Sequence, residues 1–279
     1  MTAKTSVKTI CFSKFVKLNH KMKKFINIIL LLLILPLFSF ALQDEFNRRD
    51  EQGQRQGPWR GYFSTGTIRY EGNFVDNKPT GVFKYFYPQG QLRAELIHEP
   101  GEESVEATYY HRNRTILGKG KYVDQQMQGK WLFYNEQGVL VSEHHYENGK
   151  NYGIWKTFFT DGTIAESEHW KNGERNGKLQ RFYPDGSVYM TAHYQNDLLN
   201  GEYKLFFPNG NTMLSGKYSD NLNEGEWIYY TDEGQIQRRV IYEKGIITEE
   251  KVFIETDDEA IPIRPGPSRQ DQPWEPGGF

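Results

Sequence analysis

The sequence has 279 residues, with 34 basic side chains (Lys and Arg), 36 acidic ones and a formal net charge of −2. This balance argues against a general nucleic-acid binder, which carries a basic excess, and a single cysteine excludes a disulfide framework and a multi-cysteine zinc site. Hydrophobic residues make up 37% of the chain and aromatic residues 15%, so a thin core led by Tyr, Phe and Trp is expected.

The N-terminal part of the chain has the order of a secretory signal. Seven lysines and no acidic residue precede an apolar run over residues 25–42. Small residues lie near the end of this run, at Ser39 and Ala41, as at a processing site. The pattern predicts a signal peptide over residues 22–41 that is cleaved after Ala41.

Residues 1–21 would make the basic region before the apolar run unusually long. We interpret them as an over-called start and place the true start at Met22. An uncleaved anchor is the alternative, since the apolar run is close to the shortest length that spans a bilayer. Export to the periplasm, the cell envelope or the medium is expected, and without the seven lysines the rest of the chain has a net charge of −9.

A unit of 24 residues is repeated eight times over residues 57–248. Two columns of glycine mark it, at positions 1 and 10 of the unit. The third unit, residues 105–128, has Val105 and Arg114 in those columns. A fixed period of this length predicts a stacked repeat architecture. The glycines of the first column are Gly57, Gly81, Gly129, Gly153, Gly177, Gly201 and Gly225.

Each unit reads as a strand, a tight turn, a second strand and a looser turn into the next unit. Turn signals such as Pro184-Asp185-Gly186 separate the two strands. If position 7 pairs with position 11, position 6 lies opposite position 12, and positions 12 and 18 share a face by parity. The predicted core stripe therefore includes the aromatic residues at position 6: Tyr62, Phe86, Tyr110, Tyr134, Phe158, Phe182, Phe206 and Tyr230.

The predicted fold class is all-β: an elongated array of eight hairpin repeats that forms a continuous, twisted antiparallel sheet. Residues 42–56 are interpreted as a half repeat that leads in, and residues 249–255 as a closing strand. Residues 256–279 hold five of the 12 prolines and are predicted to be a flexible tail.

The fourth unit begins with the pattern Gly-x-Trp-x-x-Tyr at Gly129 and ends with the turn Asn148-Gly149. The pattern resembles the variant MORN repeat, as found in bacterial YwqK-type antitoxins, over about residues 47–250. The resemblance implies an elongated hairpin array that acts as a scaffold or binding module, in some members at membranes, and the antitoxin family implies a protein partner that is neutralised. The matching residues are Gly129, Trp131, Tyr134, Gly138, Leu140, Tyr146, Asn148 and Gly149.

No arrangement of residues indicates chemistry. His145, His169 and His193 occupy position 17 of three consecutive units, but neighbouring units are about 10 Å apart, too far for one zinc ion. There is no phosphate loop and no nucleophile elbow. We predict no catalytic residue, no metal and no cofactor, and the chain is not expected to be an enzyme.

A second aromatic set faces away from the predicted core stripe by parity, and a strand bulge would reverse this assignment. We interpret it as a candidate binding surface, because Tyr and Trp dominate binding hot spots. The alternative is that coiling or self-association buries both faces. The set comprises Trp59, Phe63, Tyr87, Trp131, Trp155, Phe159, Tyr183, Phe207 and Trp227.

The sequence therefore predicts an exported, non-enzymatic repeat protein that presents a surface to a partner. The expected partner is another protein or a second copy of the chain. The alternative is an envelope or polysaccharide glycan, with an enzyme as a third class. No nucleic-acid partner is expected, and a membrane is expected only through an uncleaved N-terminal segment.

Overall fold

The computed structural model describes residues 46–255, which form one open antiparallel sheet of twenty strands. No helix occurs within this described range. All described residues except Phe46 belong to the second of two units of the chain, Asn47–Phe279. The predicted all-β array of hairpin repeats is confirmed.

Strands follow one another in the sheet in chain order, and each pairs with the strand before and the strand after it. Two rows of the sheet are each made of two short strands: β10 and β11 both pair with β9, and β15 and β16 both pair with β14. The strands are β1 Arg48–Arg49, β2 Arg55–Tyr62, β3 Ile68–Val75, β4 Lys78–Phe86, β5 Leu92–His98, β6 Ser104–Tyr110, β7 Ile116–Val123, β8 Gln126–Tyr134, β9 Leu140–Glu147, β10 Lys150–Asn151, β11 Gly153–Phe158, β12 Ile164–Lys171, β13 Glu174–Phe182, β14 Val188–Gln195, β15 Leu198–Leu199, β16 Gly201–Phe206, β17 Thr212–Ser219, β18 Leu222–Tyr230, β19 Ile236–Glu243 and β20 Ile246–Val252.

The predicted lead-in and closing segments each contain a strand. Within the lead-in, β1 pairs with the beginning of β2. The closing segment overlaps β20, which begins three residues earlier than the predicted segment, at Ile246. The predicted signal peptide, the over-called start and the tail after Glu255 lie outside the described residues.

Two kinds of turn alternate along the chain. Within a unit, a three-residue loop is closed by a hydrogen bond of 2.8 Å from Phe63 N to Thr67 O, and Gly66 takes a φ of 83°. Between units, Asp76 and Asn77 have φ values of 49° and 66°. Two consecutive positive φ values are typical of the two-residue type I′ turn. Connections of this kind between units are therefore tight, and the looser turn predicted from the sequence is wrong there; the loop over residues 99–103, between β5 and β6, is longer.

A bulge inside each hairpin decides which side chains share a face. Tyr62 pairs with Ile68 as predicted, but Gly61 then pairs with Tyr70, so Arg69 at position 13 is an extra residue in β3. Because an extra residue reverses the alternation of side chains, positions 12 and 14 point to opposite faces. The sequence prediction assumed that side chains alternate without interruption across position 13, and it therefore assigned the wrong face to the core.

The predicted core stripe at position 6 is consequently wrong. The buried face is formed by positions 3, 5, 14, 16 and 18, whereas position 6 lies on the opposite face. Tyr62 is 53% exposed. The other members of the predicted stripe are half-buried: Phe86, Tyr110, Tyr134, Phe158, Phe182, Phe206 and Tyr230.

A second bulge lies between units, at the glycine of position 1. Glu71 pairs with Lys84, but Asn73 pairs with Thr80, so the chain around Gly81 is looped out with a φ of 67° at this glycine. The third unit has Val105 at this position, and the pairing of β5 with β6 shows no register shift. The β-branched valine does not favour a positive φ, so the two strands pair continuously there.

In several units, a large aromatic side chain at position 3 lies on a small residue of the preceding strand, whereas Trp155 stacks on His144 with ring centroids 3.7 Å apart. A β-carbon added at Gly120 would come within 3.0 Å of the Trp131 ring, and one at Gly216 would clash in the same way with Trp227. Where position 16 is Leu96, position 3 of the next unit is Ala107. The two positions thus compensate each other in size, and this keeps the single buried face closely packed.

Candidate functional site

The structure places the nine residues of the predicted binding surface in different environments. Trp131, Trp155 and Trp227 are at most 5% exposed, so the prediction that they face solvent is wrong. The bulge at position 13 puts them on the buried face. The other six are half-buried: Trp59, Phe63, Tyr87, Phe159, Tyr183 and Phe207.

Position 7 has a structural role in three units. The Tyr87 hydroxyl donates to the carbonyl oxygen of Tyr110 at 3.0 Å, and the Tyr183 hydroxyl donates to that of Phe206 at 2.8 Å. In the third unit, His111 Nε2 lies 2.9 Å from the carbonyl oxygen of Tyr134. These side chains therefore tie the end of one hairpin to the next.

An open groove of about 470 Å³ crosses strands β2 to β5. Its walls combine six aromatic side chains with three arginines, and none of these nine described lining residues is acidic. Of the predicted binding surface, only Phe63 belongs to this set. The lining residues are Arg55, Phe63, Arg69, Tyr70, Phe74, Phe83, Tyr85, Phe86 and Arg93.

The floor of the groove consists of packed aromatic rings. Phe74 and Phe83 are buried and meet edge to face, with ring centroids 5.1 Å apart. Tyr70 lies over Gly61, where a β-carbon would come within 3.0 Å of its ring. Tyr85 lies 6.1 Å from Tyr70 between ring centroids. Because the rings rest on backbone, the floor offers a rigid apolar surface.

The arginines stand on this floor. The guanidinium carbon of Arg55 lies 3.9 Å from the centroid of the Phe74 ring, and Arg55 Nε and Nη2 donate to the side-chain and backbone oxygens of Asn77. The guanidinium of Arg69 lies 5.5 Å from the Tyr70 ring centroid. Burial raises the pKa of Tyr85, with a further increase from Tyr70 and an opposing effect of Arg69. The phenol therefore stays neutral at physiological pH.

This set of groups can hold an anion beside an apolar side chain. Guanidinium groups bind carboxylates and phosphates through paired, charge-assisted hydrogen bonds. The aromatic floor can take an apolar side chain at the same time. The groove contrasts with the acidic character of residues 42–279, whose net charge is −9. It is therefore a local basic site on an acidic protein.

Sequence reasoning did not identify the arginines of the groove. Arg69 and Arg93 occupy position 13 of the first two units, the extra residue of the bulge. The later units have Leu117, Val141, Ala165, Tyr189, Met213 and Gln237 there. A comparison of that column would have shown that only the first two units carry a charge. The column was passed over because the predicted hairpin contained no bulge at that point.

Charged residues lie between two apolar clusters of the buried face. One apolar cluster extends from Phe74 to Trp170 and a second from Leu179 to Val240. Charged side chains lie near the junction. Arg181 Nε donates to Glu166 Oε2 at 2.6 Å, Trp170 Nε1 donates to Glu168 Oε2 at 2.9 Å, and Arg175 Nε lies 4.0 Å from Glu168 Oε1.

Burial shifts the pKa values of two groups on this face in opposite directions. It raises the pKa of Glu168 to about 7, with repulsion from Glu166 adding to the shift and Arg175 opposing it. It lowers the pKa of His144 to about 3, with a smaller contribution from His145. The neutral form is favoured in both cases, because a charge is poorly solvated there.

The histidines at position 17 bond to the backbone of the next strand. Nδ1 of His145 lies 3.0 Å from the carbonyl oxygen of Ile154, and Nδ1 of His169 lies 2.8 Å from that of Lys178. Over residues 46–255 there is no group of three His, Cys, Asp or Glu side chains that could hold a metal ion. In the same range, no helix has the length and apolar character needed to cross a membrane.

A family model of the MORN repeat variant matches this chain in seven segments, which together cover more than half of it. They are residues 55–76, 79–98, 127–148, 151–172, 175–196, 199–220 and 223–244. The gap between the second and third segments, residues 99–126, contains most of the third unit, which lacks both column glycines. No curated protein matches the chain.

Similarity to solved structures is weak. The crystal structure of TcdB2-TccC3 is 10% identical, with a TM-score of 0.21, over 70% of this chain and 13% of that chain. The Tc holotoxin pore of Photorhabdus luminescens is 9% identical, with a TM-score of 0.18, over 67% of this chain and 13% of that chain. The chain thus spans about an eighth of the length of the solved chains that it matches.

Proposed function

This chain belongs to the MORN repeat variant family, and from that membership we propose that it is an exported, non-enzymatic protein-binding module. The observation that carries this proposal is the groove of three arginines on a floor of aromatic rings, free of acidic lining residues. The groove would hold a segment of a partner protein that presents carboxylates beside apolar side chains.

The order of residues at the N-terminus supports export. A basic stretch, an apolar run and small residues at Ser39 and Ala41 are typical of a cleaved secretory signal. An exported chain would meet its partner in the periplasm, the envelope or the medium. The resemblance to YwqK-type antitoxins makes a neutralised toxin one identity for the partner.

The structure gives less support to a glycan partner. That interpretation needs tryptophan platforms at the surface, and Trp131 and Trp155 are buried at 0% and 5% exposure. A general polyanion partner is disfavoured because residues 42–279 have a net charge of −9.

Affinity capture from the native envelope tests the proposal. The protein should retain a stoichiometric protein partner, and the double variant Arg69→Glu with Arg93→Glu should lose it. Arg112→Glu is the matched control, because Arg112 is an exposed arginine of a turn outside the groove. Capture that is equal for the wild type and both variants would contradict a role of the groove.

N-terminal sequencing of this chain, isolated from the envelope, tests export. A mature N-terminus directly after Ala41 is expected, and an intact apolar run would contradict cleavage.

A further inference from the structure

We propose that the groove of β2–β5 binds the acidic segment at residues 255–263 of a second copy of this chain. The inference deepens the proposed function and rests on the same groove. It names the occupant, and it makes the chain a protein that associates head to tail.

The first argument is complementary charge. The groove presents the guanidinium groups of Arg55, Arg69 and Arg93 and no lining carboxylate. Residues 255–263 read Glu-Thr-Asp-Asp-Glu-Ala-Ile-Pro-Ile, with four carboxylates and no basic side chain. Guanidinium and carboxylate groups form short, charge-assisted hydrogen bonds. The arginines are thus matched by a segment of the same sequence.

The second argument is the order of side chains in that segment. Ala260, Ile261 and Ile263 follow the four acidic residues directly. The groove has the same two parts, since the guanidinium of Arg69 lies 5.5 Å from the ring centroid of Tyr70, and this half-buried ring lies beside that of Tyr85. An extended segment can therefore place its carboxylates at the arginines while its isoleucines contact the rings.

Distance assigns the segment to another copy. Between β5 and β20 the sheet advances by thirteen rows of paired strands, which at about 4.8 Å each is a path of roughly 60 Å along the sheet. From Val252 to Ile263, a fully extended chain reaches about 40 Å at most. Measured along the sheet, the segment thus falls short of the groove of its own chain, whereas a second copy can supply it.

A head-to-tail contact of this kind does not require the copies to form a closed, symmetric assembly. The groove lies on the first hairpins and the segment follows the last strand, so the two surfaces differ. A heterologous contact of this kind generates rings or open chains. The expected products are therefore dimers and larger species that depend on concentration.

Light scattering after size exclusion of the exported protein, over a range of concentrations, tests the inference. The wild type should associate. Two variants should weaken association by about tenfold or more, because each removes one side of the charge pairs: Arg69→Glu with Arg93→Glu, and Asp257→Lys with Asp258→Lys. Arg112→Glu should leave association unchanged. A mixture of the two double variants should associate again, because each variant supplies a charge-matched segment for the groove of the other, and their combination in one chain should also restore association.

Other results would overturn the inference. A monomer at every concentration, or association that neither double variant weakens, excludes this contact. Cosedimentation with phosphatidylserine vesicles that depends on Arg69, in a monomeric protein, would assign the groove to a lipid surface instead. By contrast, loss of self-association in both double variants, with the envelope partner still captured by the tail variant, supports the inference and shows that the groove binds both. Capture of a partner through the groove by a monomeric protein retains the proposed function and rejects only the second copy.

Discussion

The indole of Trp131 lies flat against the backbone of Gly120 in the preceding strand, so that a β-carbon on Gly120 would come within 3.0 Å of the ring. Trp131 is completely buried as a result, although it lies on a single sheet. The same relationship joins Trp227 to Gly216. The glycines at position 16 therefore act as sockets for aromatic residues of the next unit.

We expect Gly120→Ala to lower the free energy of unfolding by about 1–3 kcal/mol, the usual cost of overpacking. Gly120 has no positive φ, so the cost comes from the contact with Trp131 and not from backbone strain. Urea denaturation measures it. In a Trp131→Ala background, the same substitution should cost clearly less. Equal costs in both backgrounds would show that the ring does not require this socket.

The third unit provides a test of turn chemistry. Arg114 has a φ of 74° at the position where the other units have glycine, and Gly138 in the next unit has a φ of 80°. Arg114→Gly should raise the free energy of unfolding by about 0.5–1 kcal/mol, because the left-handed conformation costs a residue with a side chain more than it costs glycine. Thermal denaturation should also show that Gly138→Arg lowers stability by a similar amount. Destabilisation by Arg114→Gly would mean that the arginine side chain contributes contacts that outweigh the strain.

The columns of the repeat predict much of the fold, but they do not predict which face of the sheet each side chain occupies. The two glycine columns specify the turns, and the predicted pair of Tyr62 with Ile68 forms. One extra residue, Arg69, then reverses every later assignment, and nothing in the hydrophobic pattern marks it because position 13 varies from arginine to leucine. The groove was missed for the same reason. Local turn chemistry is encoded in a few residues, but the register of a bulge depends on how neighbouring strands pack.

Burial of His144 predicts a loss of stability in acid. Its pKa is lowered to about 3 in the folded protein, below the ordinary value of 6.5. The folded state therefore binds fewer protons than the unfolded state between these values, and stability falls as the pH drops from about 6.5 towards 3. The slope reaches at most about 1.4 kcal/mol per pH unit for one proton. His144→Phe keeps a ring against Trp155 and should flatten this slope in denaturation curves recorded at each pH.

Glu168 predicts the opposite dependence. Its pKa is raised from the ordinary 4.5 to about 7, so the folded state binds more protons over that range. Stability should therefore fall as the pH rises from about 4.5 to 7, and Glu168→Gln should remove the fall while keeping a side-chain oxygen that can accept from Trp170 Nε1. The two slopes oppose each other between about 4.5 and 6.5 in the wild type. If each single variant shows the same slope as the wild type, neither group titrates as its burial requires.

The ion pair of Arg181 with Glu166 allows the stability of a buried ion pair to be compared with that of an apolar pair on the same face. Its Nε–Oε2 distance is 2.6 Å and both side chains are mostly buried, at 21% and 23% exposure. One unit later, the equivalent cross-strand pair is Leu205 with Met190. Arg181→Leu alone should cost about 3–5 kcal/mol, because it leaves the Glu166 carboxylate uncompensated on the buried face.

The double variant Glu166→Met with Arg181→Leu copies the apolar pair of the next unit. It should be as stable as the wild type or more stable by about 1–4 kcal/mol, since two buried charges no longer need to be desolvated. It should also join the two apolar clusters that the charged residues now separate. Chemical denaturation of the four proteins of this cycle gives the coupling energy. A double variant that is less stable than the wild type would show that the ion pair stabilises the sheet more than apolar packing does, and that the break in the buried face is part of what holds the array in register.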